Sequence, residues 1–307
     1  MTKYAVSISI GSSHRDKTVE VTMLGEKVQL SRRGTDGDMK KAAQLFNELD
    51  GKVDALGVGG ADLGFLVGDH WYPLYSVYKM IRGVKKTPVV DGSGLKVTLE
   101  ERVRGVLDGV LAPRISHKRA FLMTGADRWG LTQAFTGAGY ECIFGDLMFG
   151  VGVDVPIRTI PNLRRLCDIL MPVMGRIPFQ WLYPVGEAQE KRTPKWLNHF
   201  DWAEVIAGDC HYITRYMPER LDGKIVVTNT TVAKDVEQFR QAGVKTLITT
   251  TPVYDGRSFG TNMMEAGLVA AMGRTQPVDY WHAQAYLEEL RHALDTMQFQ
   301  PAIQELN

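Results

Sequence analysis

Short apolar, β-branched runs recur along this chain, and most give way to a small or polar turn and then to a stretch of helical period. The runs at residues 119–124 (RAFLMT), 140–144, 203–207, 224–228 and 246–250 are of this kind, with helical periods at 131–138, 212–221 and 232–242. Strands that alternate with helices and are apolar throughout predict a parallel sheet covered on both faces, the α/β class. The N-terminal part repeats the pattern less cleanly. It offers strands at 3–10, 53–58 and 88–90, a hairpin of 17–22 and 26–31 about Leu24-Gly25, and helices at 39–49, 75–84 and 98–111. The 307 residues suffice for two cores. The polar stretch 113–118 predicts a boundary. Residues 1–115, with the C-terminal helices of 260–307, form one α/β domain, and 116–259 form a second domain on a parallel sheet.

Charge narrows the partners. Lys and Arg number 36 and Asp and Glu 35. So balanced a chain has no long-range attraction for nucleic acid or for an anionic membrane surface. A local basic pocket for a small anionic molecule stays compatible with that balance, as does a homo-oligomer. Cys142, Cys167 and Cys210 are odd in number and lack CxxC spacing, so neither a disulfide framework nor a metal site is expected. Free thiols and the absence of a signal-peptide layout or an apolar span predict a cytoplasmic protein.

The segment RAFLMTGADRWGLTQAFTGAGYECIFGD carries the most specific signal. A dinucleotide site needs a strand, a tight glycine turn, a helix whose first N–H groups face the pyrophosphate, and a second strand ending in an acid for the ribose. Thr124 and Gly125 end the strand, Ala126, Asp127, Arg128 and Trp129 form the turn, Gly130 opens the helix, and Asp146 ends the next strand. These residues predict a Rossmann-like cradle for NAD, with NADP left open. The turn is G-x-x-x-x-G, so Asp127 must point away or cap the helix, and Arg128 could supply compensating charge. The alternative is an ordinary βαβ unit with a glycine turn. Asp209, Thr228, Asn229 and Thr250 end later strands and could line the same groove or cap helices.

In the N-terminal domain, Asp91-Gly92-Ser93-Gly94-Leu95-Lys96 reads as a compact loop after a strand. A Lys–Asp pair there could take the proton of an alcohol during oxidation, which makes Lys96 and Asp91 the catalytic candidates; the alternative is an Asp that caps the turn and a solvated Lys. Ser7 and Ser9 share one face of the first strand, Arg15 lies just beyond it, and Asp62 follows a Gly-Gly turn. Ser7, Ser9, Asp62 and Ser93 are the candidate substrate ligands; the alternative for the two serines is a solvated strand face. The aromatics Phe179, Trp181, Tyr183, Trp196 and Trp202 read as core, in a segment that could serve as lid, interface or insertion.

VDGSGLK, the unit from Gly125 to Asp146, AGDCHYITRYMPERLDGK and TTTPVYDGRSFGTNMMEA resemble the quinate/shikimate dehydrogenase-like family over nearly the whole chain. The resemblance implies an NAD(P)-dependent oxidoreductase acting on a small hydroxy or amino acid. By it, Lys96 matches the catalytic lysine, Ser7 and Ser9 the substrate serines, and Glu265 lies on a helix that returns to the substrate. This chain departs from the family in having Ser-Gly-Leu before the lysine and Gly-Ala-Asp-Arg-Trp as its loop. A non-redox ligand-binding or regulatory protein, or a non-redox enzyme on the same fold, is the alternative.

Overall fold

The computed structural model describes residues 1–177, 192–251, 253–254, 257–258 and 260–307. The chain divides into two compact units. The first comprises Met1–Thr98, Met171–Phe179 and Val253–Phe299, and the second Leu99–Leu170, Gln180–Pro252 and Gln300–Asn307. The chain is α/β in both.

The first unit begins with β1 (Lys3–Ser9), the hairpin β2 (Lys17–Met23) and β3 (Glu26–Gly34), α1 (Met39–Leu49) and β4 (Ala55–Gly59). A small hairpin, β5 (Gly64–Val67) and β6 (His70–Pro73), precedes α2 (Tyr75–Ile81) and β7 (Val89–Val90). Helix α3 (Ser93–Glu101) carries the boundary between the units. Then come α4 (Val103–Asp108), β8 (Arg119–Leu122), α5 (Trp129–Gly137), β9 (Glu141–Phe144), α6 (Asp146–Gly150) and α7 (Ile160–Met174). The second unit continues through α8 (Leu197–Trp202), β10 (Val205–Gly208), α9 (Cys210–Tyr216), β11 (Ile225–Thr228), α10 (Ala233–Gln241) and β12 (Thr246–Thr249). The chain returns to the first unit with the strand pair β13 (Val253–Tyr254) and β14 (Arg257–Ser258), α11 (Thr261–Ala271) and α12 (Gln284–Thr296), and then enters β15 (Ala302–Glu305) of the second.

Local chemistry explains these elements. Ala5 to Ser9 of β1 are buried on both faces, as a central strand requires. At the edge, β2 buries Val21 and Met23 and leaves Thr22 exposed. Asp38 caps α1 by accepting from the Lys40 and Lys41 N–H groups at 2.8 and 3.0 Å. Phe121, Ile143, Phe200, Ile206, Val226 and Phe239 pack as the core of the second unit.

The first sheet runs β2-β3-β1-β4-β7 and the second β15-β12-β11-β10-β8-β9. All neighbours in them are parallel except the edge pairs β2–β3 and β12–β15. Both sheets therefore reverse their winding direction beside their first parallel strand: between β1 and β4 in one, between β8 and β10 in the other. The crevice outside the carboxyl ends of such strands is where open α/β sheets receive ligands.

Three expectations are corrected. The division falls at Thr98 and Leu99, not after residue 115, because α4 packs against α5 of the second unit. The helix expected at 98–111 starts at Ser93, so Ser93 and Lys96 lie in its first turns and not in a loop. Residues 302–305 add an antiparallel edge strand to the second sheet, where no strand was expected. Phe179, Trp181 and Tyr183 lie outside the described residues, whereas Trp196 and Trp202 pack against the second core. Among the described residues no helix is long and apolar enough to cross a membrane.

A Cβ on Gly94 would meet Tyr286 Cε1 at 2.8 Å and both Glu265 Oε1 and Leu290 Cδ1 at 2.9 Å. Gly94→Ala is therefore expected to destabilise the protein by about 1–3 kcal/mol, measured as a lowered urea midpoint at unchanged slope.

Candidate functional site

Both crevices lie where the winding reverses, and they differ in what fills them. The first is an open cavity of about 360 Å³ at the carboxyl ends of β1 and β4. Ser7 and Ser9 line it from β1, with Gly11 just beyond, Gly59 from the end of β4, with Gly60 after it, and Asn262 and Met263 from the start of α11. Arg15, Lys17 and Arg32 supply its cations. The Arg32 guanidinium donates to Ser9 Oγ at 2.9 Å, and to Ser12 O and Asp16 Oδ1 at 2.8 Å each. The Asn262 amide donates to Ser7 Oγ at 2.6 Å. Two of the expected substrate residues, Ser7 and Ser9, thus lie in one cavity.

The other first-unit candidates do not line it. Asp91 is buried and accepts from Leu63 N–H at 2.5 Å, Ser93 N–H at 2.9 Å and Tyr280 O–H at 3.2 Å, which makes it a clamp for the start of α3. Lys96 is half-buried on α3, Ser93 is buried at its first position and Asp62 is half-buried after β4. Glu265 is fully buried and accepts from Leu95 N–H at 3.0 Å and Tyr286 O–H at 2.5 Å. Burial, reinforced by the charge of Asp91, pushes the Glu265 carboxyl up to about 8. The returning helix does reach the cavity, but through Asn262, one turn before Glu265. Sequence reading missed Asn262, Lys17 and Arg32. Lys17 and Arg32 belong to strands flanking Leu24-Gly25 and are paired across the hairpin, the one cue that a correct register would have given.

The second crevice is filled by the protein itself. Arg128, buried, donates to Glu100 Oε1 at 2.9 Å and Asp209 Oδ2 at 2.6 Å, and its Nε lies 3.4 Å from Asp127 Oδ2. Burial alone would lower the Arg128 pKa, but the three carboxylates outweigh it and hold the guanidinium charged. The Asn229 amide donates to Asp209 Oδ2 at 2.8 Å, and Thr228 Oγ1 donates to Gly208 O. Asp209 also caps α9. Thr250 is buried, with its N–H on Thr228 O. The ends of β8, β10 and β11 are thus bound to one another.

This arrangement bears on a dinucleotide directly. The Gly125 and Ala126 N–H groups donate to Asp146 at 2.8 and 2.9 Å, and Leu131 N–H, at the start of α5, faces Glu100 Oε2 at 3.3 Å. Arg128 N–H bonds Thr124 O. Trp129 and Gly130 are buried in α5, and a Cβ on Gly125 would strike Phe144 and Leu163. Four carboxylates, Glu100, Asp127, Asp146 and Asp209, surround the turn against the Arg128 guanidinium. Burial pushes Asp146 up to about 6, its two N–H donors opposing the shift. A pyrophosphate needs those N–H groups and a positive field, so the residues present do not fit it. Asp146 was expected to hold a ribose and instead braces the turn. Arg128 faces inward, not towards a ligand.

The family described as Domain of unknown function (DUF8754) matches residues 94–306. The chain belongs to the DUF8754 family. A second family, Domain of unknown function (DUF8753), matches residues 4–91 of this DUF8754 chain. No curated protein matches it. Among solved structures, Entamoeba histolytica malic enzyme aligns with 93% of the chain at 9% identity and a TM-score of 0.41, and the chain spans 61% of that enzyme's length. Two Mycobacterium smegmatis structures also align. One covers 97% of each chain at 11% identity and a TM-score of 0.36. The other, a complex with beta-D-fucofuranose, covers 99% of this chain and all of that one at 8% identity and a TM-score of 0.33.

Two outcomes follow from these charges. Arg128→Ala leaves Glu100 buried without its cation and is expected to cost about 3–5 kcal/mol, read from chemical denaturation. Between pH 6 and 8 the folded Glu265, with its carboxyl at about 8, retains a proton that the unfolded chain has released. Stability therefore falls as pH rises through that window. Urea midpoints of Glu265→Gln at pH 6 and 8 should differ less than those of the unaltered protein.

Proposed function

We propose that this protein binds a small anionic molecule in the crevice at the ends of β1 and β4, with Ser7, Ser9, Arg32 and Asn262 as its contacts. The observation that carries the reading is the convergence of Arg15, Lys17 and Arg32 with Ser7 and Ser9 on one cavity of about 360 Å³ at the point where the sheet reverses its winding. Cavities of this size suit small metabolites. Backbone at Gly11, Gly59 and Gly60 brings the chain close to the ligand without side chains between. Calorimetric titration with acetate, malonate, quinate and inorganic phosphate tests it. At least one should bind with one-to-one stoichiometry, and Arg32→Ala should weaken that binding by about tenfold or more, the worth of one charged hydrogen bond. No binding by any of the four would end this reading.

A second reading is an NAD-dependent oxidoreductase of the quinate/shikimate dehydrogenase-like type. It is favoured by the Rossmann-like sheet and by an acid, Asp146, placed 21 residues after Gly125. The carboxylates around the turn oppose it. The thermal midpoint with NAD, NADH, NADP and NADPH separates the readings. A ligand at 100 times its dissociation constant adds about 2.7 kcal/mol. The expected outcome is no shift, and a shift with either pair would restore the redox reading.

A further inference from the structure

An arginine offers five N–H donors in one rigid plane, and what it can do for a ligand depends on where that plane is held. Arg32 lies near the end of β3, in register with Ser7 of β1 and Lys17 of β2, and its side chain is only 14% exposed. Its Nη1 donates to Ser12 O and to Asp16 Oδ1 at 2.8 Å each, and its Nη2 to Ser9 Oγ at 2.9 Å. Among the described residues three of its N–H groups are engaged in this way. Nε–H and the second Nη2–H remain for a ligand in the cavity that Arg32 lines.

Asp16 is itself held in place. Its Oδ1 also accepts from Gly34 N–H, at 2.6 Å. The loop that carries it lies against the same end of β3: a Cβ on Gly34 would stand 2.6 Å from both Ser12 O and Ser13 N, and Ser13 N–H donates to Asp36 Oδ1 at 2.7 Å. An ion pair between two exposed, mobile stems contributes little. Here the carboxylate is fixed to backbone and the guanidinium is mostly buried, so the pairing sets a direction.

We infer that Asp16 is a positioning residue of the first-unit crevice: it acts on the bound anion through Arg32, by fixing the guanidinium with its remaining donors available to the ligand. The inference rests on the anion-binding reading above and concerns how that site is aimed. As a charge alone, a carboxylate beside an anion site repels the ligand. As a positioning group, it removes side-chain freedom that binding would otherwise have to remove, worth about threefold to tenfold in affinity for one side chain. The two roles have opposite signs, so one substitution tells them apart.

Acetate, malonate, quinate and inorganic phosphate are titrated by calorimetry into the full chain and into Asp16→Asn, Asp16→Glu, Arg32→Lys and the double variant of Asp16→Asn with Arg32→Lys. Asp16→Asn keeps an acceptor for Gly34 N–H and should weaken each anion that binds by about threefold to tenfold. Asp16→Glu, which keeps the charge and shifts it by one methylene, should weaken it too. Arg32→Lys keeps the charge without the planar fork and should also bind more weakly. In that background Asp16→Asn should weaken nothing further, because the group it positions is gone. Asp16→Asn binding as tightly as the unaltered chain, or tighter, makes Asp16 a counter-charge only; it overturns the inference and leaves the anion-binding reading standing. Equal weakening by Asp16→Asn in both backgrounds assigns it a role apart from Arg32, with the same consequence. Binding of none of the four anions overturns both.

Discussion

A guanidinium buried at the carboxyl edge of a parallel sheet must find its counter-charges inside the protein, and Arg128 finds Glu100, Asp127 and Asp209. Because Glu100 belongs to α3, Arg128 and Asp127 to the turn after β8, and Asp209 to the end of β10, this one cation ties three elements of the second unit together. The same contacts occupy the place where a sheet of this winding ordinarily receives its ligand. The second unit thus has a doubly wound parallel sheet whose switch point is occupied by its own side chains. The first unit, wound the same way, keeps its position open and lines it with donors.

Much of the fold is legible in the residues. Apolar runs such as RAFLMT and KIVVT can only be strands covered on both faces, and Gly139 and Gly243 mark where helices stop. The Ser93 start of α3 was not legible, because Ser-Gly reads locally as a turn. It is settled by Asp91, which accepts the Ser93 N–H, and by Glu265, which accepts the Leu95 N–H from 170 residues away. Strand β15 was hidden for a similar reason: AIQE has no strong pattern of its own, and its pairing with β12 is a property of the sheet edge.

The site was legible in part. Alternation along β1 placed Ser7 and Ser9 together, and that is a local inference. Arg32 and Lys17 reach the same cavity through hairpin register, and Asn262 through a helix that follows β8 to β12 of the second sheet. For Asp146 and Arg128 the residue types were read correctly and their directions were not. An acid 21 residues after a glycine turn has the same spacing whether it faces a ribose or the turn's own N–H groups.

Helix α11 also sets an order of assembly. It packs against β1, β3 and β4, with Gly57 meeting Asn262 O and Gly267 meeting Leu30 and Met23. During synthesis those strands emerge long before their covering helix, which follows only after β8 to β12 have been made. The N-terminal sheet is therefore complete in sequence before the helix that covers one of its apolar faces, and burial of that face depends on residues beyond the second unit's strands β8 to β12. A fragment ending near Thr98 would keep those strands and lack the helix that covers them.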